Sequence, residues 1–204
     1  MAQDIRIDKR ILKTKSNLKS ALVELLKTHK IEDISIVELT NLANVNRKTF
    51  YLHYNEVSSV FKEIENTTYE LVKKYVYNIQ PSIDNVETYL YDLFKIFIDD
   101  VNVLTIIRET QYAKTFTVML EKLLIESTNK NYEQLTNNST PHILQYTIAY
   151  HVFGSVRLFY TWIRNCQNLD LKVFSKFLAN IIIKGSKGNF ESLQWLKTLY
   201  NEIF

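Results

Sequence analysis

Only 3 of the 204 residues are glycine and 2 are proline. A sheet protein of this size reverses direction many times, and tight reversals draw on glycine and proline for their left-handed and fixed-φ positions. A chain so poor in both turns rarely, through short polar breaks. Along most of its length apolar residues recur at i, i+3, i+4 and i+7, the period of an α-helix with one buried face. Together these features predict an all-α fold of about nine to ten helices with short connections. Apolar residues at 46% suffice for a sizeable core. No stretch is apolar and uncharged over the roughly 18 residues that a membrane-spanning helix needs.

Two segments of unlike character are expected. Residues 1–62 hold 11 Lys and Arg against 7 Asp and Glu, a balance of +4, while residues 63–204 hold 14 against 15, a balance of −1. A basic N-terminal third on a near-neutral body points to an anionic partner for that third. The single cysteine, Cys166, leaves no internal disulfide and no zinc cluster, which suits a reducing cytoplasm. His29, His53, His142 and His151 lack metal-ligand spacing, and no nucleophile elbow, phosphate loop or dinucleotide fingerprint occurs. An enzyme, a resident metal and a cofactor are therefore not expected.

In chain order, a first helix is expected over residues 8–28, capped by Asp8, with Ile11, Leu18, Leu22 and Leu25 on its apolar stripe. Lys9, Arg10, Lys13, Lys15 and Lys19 fall mostly off that stripe, and Ile31 and Ile34 anchor a polar connection. Two short helices follow within residues 35–54, SIVELTNLANVNRKTFYLHY. Ser35 and Glu38 form a capping pair for the first. Asn44 suits the left-handed residue of the turn, and Asn46 caps the second. Phe50 and Tyr54, four apart, share the inward face. Arg47, Lys48, Thr49, Tyr51 and His53 are then left facing partly or wholly outward, a basic and hydroxylated surface suited to phosphates and base edges. Two short helices joined by a tight turn are the helix-turn-helix unit.

Beyond it, the pattern predicts a long helix over 56–79 ended by Pro81, a helix capped by Asp84, segments over 102–110 and 113–129, and a polar loop over 129–139. Pro141 opens a helix to about 165, Asp170 caps the next with Gly185 at its C′ position, and an amphipathic helix spans 189–203. The expected division is a DNA-binding domain over 1–55 and a helical dimerisation and effector domain over 56–204, with 56–79 connecting them. Helices near 141–165 and 170–184 are apolar over more than one stripe, so each is either central or pairs with another chain. Val152, Gly154, Ser155, Arg157, Phe177 and Ile181 are the expected dimer contacts. Phe94, Phe97, Tyr112, Phe116, Tyr146, Tyr150 and Trp162 are the expected lining of an effector pocket, though such a stripe also reads as plain core.

The residues from about Ile11 to Ile64, and above all Val45-Asn46-Arg47-Lys48-Thr49-Phe50-Tyr51-Leu52-His53-Tyr54, resemble the TetR/AcrR family of bacterial transcriptional regulators. The stretch from Tyr150 to Ile163 resembles one variety of that family's C-terminal domain. The resemblance implies a three-helix DNA-binding domain, a connecting fourth helix and a larger helical domain that dimerises and often binds an effector. It implies groove contacts from Arg47, Lys48 and Thr49, with Arg47 or Lys48 reading a base. Phosphate contacts would come from Tyr51, His53 and either Lys13 or Lys15, and Ser35 would fix the second helix at the DNA backbone. Three positions depart from the family pattern. Asn44 stands where glycine is usual, Asn46 replaces a common serine, and Val57 stands where a phosphate-binding lysine is usual, leaving that contact absent or to Lys62. The expected function is a dimeric repressor of a roughly palindromic duplex DNA operator, released by a small-molecule effector. The competing expectation is a helical protein-interaction module, or a regulator controlled by a protein partner.

Overall fold

The computed structural model describes residues 2–82, 84–136, 141–165 and 169–185, and among them there is helix and no strand. The helices are α1 (Ala2–Leu26), α2 (Ile36–Leu42), α3 (Arg47–Tyr51), α4 (Val57–Asn78), α5 (Val86–Asp99), α6 (Val101–Glu109), α7 (Ala113–Thr136) and α8 (His142–Asn165). A ninth, α9, covers residues 171–185.

Several boundaries differ from those the sequence predicts. The first helix begins at Ala2, so Asp8 lies inside it instead of capping it. No glycine or proline interrupts residues 2–8, and a helix continues where nothing stops it. α5 begins at Val86, one residue past Asn85. Asn85 folds back, its Oδ1 accepting from Ser82 N at 2.7 Å and its Nδ2 donating to Gln80 O at 2.9 Å, while Asp84 lies in the turn. α7 continues to Thr136, so most of the predicted 129–139 loop is helix. That stretch is polar, but Lys130, Glu133 and Gln134 are good helix formers, and polarity reports exposure rather than a break. Residues 137–140, Cys166 and the predicted 189–203 helix lie outside the described residues.

Gly185 is still helical and has no positive φ. A Cβ there would lie 2.9 Å from His151 Cε1, so close approach to α8 accounts for the glycine better than a C′ turn does. The predicted cap at Asp170 is present, its Oδ1 accepting from Lys172 N at 2.8 Å before α9. Asp100, which the sequence pattern does not single out, caps α6 by accepting from Asn102 N and Val103 N.

The chain divides into two compact units. The first comprises Met1–Leu71 and Phe97–Phe116; the second comprises Val72–Ile96 and the described residues from Thr117 onward. α6 belongs with the N-terminal helices because it packs on α1. The core of the first unit takes Leu18, Leu22 and Leu26 from α1, Leu39 from α2, Phe50 from α3, Val60 and Ile64 from α4, and Val103 and Ile106 from α6. Polar ties reinforce it. Ile31 N donates to Tyr112 Oη at 2.8 Å, and Lys27 Nζ lies 3.1 Å from Glu109 Oε2.

In the second unit Leu93, Leu120, Leu123, Val156 and Leu178 are buried around an aromatic stack. Phe94 lies on Phe159 with ring centroids 3.9 Å apart, and Trp162 lies on Phe174 at 5.3 Å. Trp162 Nε1 donates to Leu169 O at 2.9 Å, which satisfies the indole donor.

Candidate nucleic-acid interface

The turn between α2 and α3 is held by bonds that reach at most five residues. Ser35 is extended, at φ −81° and ψ 152°, and its Oγ accepts from Glu38 N at 3.1 Å, so the capping pair is present through its serine half. Thr40, wholly buried, donates its hydroxyl to Ile36 O at 2.7 Å. At the far end of α2, Asn44 takes φ 51°. Its N–H donates to Asn41 O at 3.1 Å, and Val45 N donates to Thr40 O at 2.9 Å. That pair of bonds around one left-handed residue is the Schellman motif, which closes a helix and sends the chain off at a sharp angle. Asn46 then opens α3, its Oδ1 accepting from Lys48 N at 2.8 Å.

Phe50 is fully buried and Tyr54 nearly so, with ring centroids 5.8 Å apart. Successive helix positions turn by about 100°. Inward Phe50 and Tyr54 therefore send Lys48 and Leu52 to the opposite side, with Tyr51 and Arg47 on one flank and Thr49 on the other. Arg47 and Lys48 are exposed, Tyr51 is half exposed, and Thr49 and His53 are partly covered. His53 meets the Tyr54 ring edge-on at 6.5 Å. No acidic residue lies in α3. Ser35 and Lys13 are exposed as well.

Lys15 stands apart from the other predicted DNA contacts. Its Nζ lies 2.9 Å from Glu63 Oε2 and 5.5 Å from the centre of the Tyr54 ring. Lys19 Nζ reaches Glu63 Oε1 at 2.9 Å, and Tyr54 Oη donates to Glu63 Oε2 at 3.0 Å. Glu63 thus ties α1, the end of the α3 segment and α4 together. Burial alone would raise its carboxyl, but the bonds from Lys15, Lys19 and Tyr54 outweigh it and hold the group at about 2. Burial, and then the bond to Glu63, push the Tyr54 hydroxyl well above its ordinary range. Lys15 is therefore engaged in holding α3 in position. Val57 is buried at the start of α4, so the position where the resemblance has a phosphate-binding lysine is core here, while Lys62 is exposed.

The seven predicted pocket residues are divided between the two units. Phe97, Tyr112 and Phe116 belong to the first unit, where Tyr112 accepts from Ile31 N and packs on Phe61 at 5.3 Å. Phe94 and Trp162 belong to the aromatic stack of the second unit. Tyr146 and Tyr150 are both 71% exposed on α8. With Ile143 and Phe153 they form an apolar outer face of α8, and Val173, Phe177 and Ile181 form one on α9.

Of the predicted dimer contacts, Gly154, Arg157, Phe177 and Ile181 are exposed, Val152 is partly covered and Ser155 is buried. A Cβ on Gly154 would meet nothing within 4 Å. Arg157 Nε lies 3.6 Å from Glu121 Oε1, an ion pair inside the second unit. His151 is half-buried, and burial lowers its pKa.

Among the described residues, no three His, Cys, Asp or Glu side chains gather as a metal site, and no helix is long and apolar enough to cross a membrane. No protein-family model matches the sequence, and no curated protein does. Solved structures do match. A TetR-like transcriptional regulator from Rhodococcus sp. RHA1 is similar with a TM-score of 0.61 at 13% identity, over 86% of this chain and 96% of that one. NalD, the secondary repressor of the MexAB-OprM multidrug efflux pump in Pseudomonas aeruginosa, is similar with a TM-score of 0.57 at 15% identity, over 87% and 97%. The dihydroxyacetone kinase operon activator DhaS is similar with a TM-score of 0.54 at 13% identity, over 85% and 96%. The chain has the all-α fold of TetR-type transcriptional regulators, with an N-terminal helix-turn-helix and a larger C-terminal body.

Proposed function

We propose that the chain is a dimeric, sequence-specific DNA-binding transcriptional regulator. The observation that carries this reading is α3 itself. It is a capped five-residue helix whose inner face is filled by Phe50 and whose outer face offers Arg47, Lys48, Thr49 and Tyr51. So short a helix contributes little as a strut, whereas exposed cations and hydroxyls on a rigid turn suit a major groove. Lys13, Ser35, Asn46 and His53 lie within the same unit and are assigned to backbone contacts.

A helix-turn-helix reader spans two half-sites about 34–36 Å apart, which requires two copies. The exposed apolar faces of α8 and α9 support self-association through Tyr150, Phe153, Gly154, Phe177 and Ile181. Occupancy of a promoter by such a dimer blocks transcription with no further contact, so repression is the sense we assign. A small-molecule effector would enter the second unit beside the Phe94–Trp162 stack and act through α4, which is continuous from one unit to the next. It releases DNA only if it binds one arrangement better than the other.

Selection of bound sites from random duplex DNA tests the reading directly. A roughly palindromic site is expected, with affinity falling steeply as salt rises. On that site Tyr51→Ala should weaken binding across all sequences, whereas Arg47→Ala should also relax specificity by about 1–3 kcal/mol at one base pair. Equal losses on operator and random DNA for both variants would sink this division of labour. Duplex binding with neither site preference nor salt dependence would favour an acidic protein as the partner instead.

A further inference from the structure

Leu52 is 78% exposed, more than any other large hydrophobic residue among those described, Val101 following at 73%. Its backbone is still helical, at φ −71° and ψ −18°, and its N–H bonds to Thr49 O, so its side chain extends the outer face of α3 by one more position. Residues two apart on a helix point about 200° away from each other. Leu52 therefore points away from buried Phe50, on the face it shares with Lys48 one turn earlier. A lone exposed leucine on a protein surface ordinarily needs no explanation. This one occupies the middle of the surface that must enter the groove if α3 reads DNA, between a cation and the flanking hydroxyls of Tyr51 and Thr49.

A leucine side chain neither donates nor accepts a hydrogen bond, so it offers nothing to guanine, cytosine or adenine edges, nor to phosphate. The major groove displays one apolar group, the C5-methyl of thymine. We infer that Leu52 reads a thymine through that methyl group, which makes it a specificity-determining residue. The inference rests on the DNA-binding reading above and goes beyond it by naming a base and the atom contacted.

The test uses the full-length chain and the site selected from random DNA. Each thymine of one half-site is replaced in turn by deoxyuridine, which removes the methyl and nothing else. Wild type is expected to lose about fourfold in affinity at one thymine, the size of a single buried methyl group. Leu52→Ala should lose a similar factor on the unmodified site and then be indifferent to deoxyuridine at that thymine. Because Leu52 is exposed, the variant should keep wild-type helicity and melting temperature, which excludes loss of folding as the cause. If Leu52→Ala keeps the wild-type response to deoxyuridine, or wild type responds at no thymine, the inference is overturned while the DNA-binding reading stands. If wild type selects no site at all, the DNA-binding reading itself falls and takes Leu52 with it.

Discussion

Around α3 the exposed groups are polar apart from Leu52 and, at the end of α2, Leu42, and the turn is held by bonds spanning two to five residues. Along α8 and α9 the exposed groups are large and apolar: Tyr146, Tyr150 and Phe153 on one helix, Val173, Phe177 and Ile181 on the other. The first surface is complete within one chain. Its caps are satisfied, Phe50 and Tyr54 face inward, and Arg47 and Lys48 face water. The second surface leaves several large apolar side chains in water, which a single chain gains nothing by doing. A polar surface on a rigid local frame suits a transient partner that brings its own charge. An apolar surface on long helices suits a permanent partner that brings a matching apolar face.

The sharpest way to break this contrast is to charge the apolar face. Phe177→Glu replaces an aromatic residue that is 53% exposed, so the fold of the single chain should tolerate it. In a two-fold symmetric dimer the change occurs twice, and at about 2 kcal/mol for each anchor the dimer should weaken by about 4 kcal/mol, near a thousandfold. Sedimentation equilibrium should show monomers at micromolar concentration with helicity unchanged. A variant that sediments like wild type would remove α9 from any interface.

A second change probes the other side, where the proposed DNA surface depends on a distant carboxylate. Glu63→Gln keeps the shape of the side chain but removes the charge that holds Lys15, Lys19 and Tyr54. Hydrogen bonds to a charged group contribute about 1.5–3 kcal/mol, and partial exposure of Glu63 to water lowers this to about 1–2 kcal/mol. The pH dependence carries a sign. Glu63 has its carboxyl lowered from 4.5 to about 2 in the fold, so the unfolded chain binds the extra proton. Its contribution is complete above pH 4.5 and is lost as pH falls towards 2. Denaturant titrations should show wild type losing more stability than Glu63→Gln over that window. Identical slopes for the two proteins would mean that Glu63 contributes nothing through its charge.

The same contrast marks what the sequence discloses. Ser35, Asn44 and Asn46 are legible because each acts on partners within five residues, and Phe50 and Tyr54 because their four-residue spacing marks one face. Glu63 is not legible, since its bond to Lys15 spans 48 residues and only the packing of α4 on α1 brings them together. Lys15 accordingly reads as an exposed cation when it is half of an internal pair. Tyr146 and Tyr150 read as pocket lining because helical spacing identifies a face without saying whether that face is inside or out. The stretch over 129–136 reads as a loop because it is polar, yet polarity marks exposure and its residues favour helix. Leu52 is not singled out by the sequence, since only the inward direction of Phe50 defines the outward one.

The smallest expected effect tests how far the local frame is already optimal. Asn44 takes φ 51°, a region where a side chain is strained and where glycine is not. Asn tolerates it better than most residues, so the gain from Asn44→Gly is modest. It removes the strain in the folded chain but also frees the unfolded one, and the two effects partly cancel. We expect a net gain of about 0.5 kcal/mol, seen as a small rise in the denaturant midpoint with an unchanged slope. Asn44→Ala supplies the opposite arm, because alanine meets the left-handed region with neither the freedom of glycine nor the local hydrogen bonding of asparagine, and should lose about 1 kcal/mol. Affinity for DNA should follow stability only weakly in the glycine variant, since the Schellman bonds from Asn44 N and Val45 N are backbone bonds that glycine keeps. If the glycine variant instead loses DNA affinity while gaining stability, the Asn44 side chain itself touches the DNA, and the turn is part of the reading surface rather than only its frame.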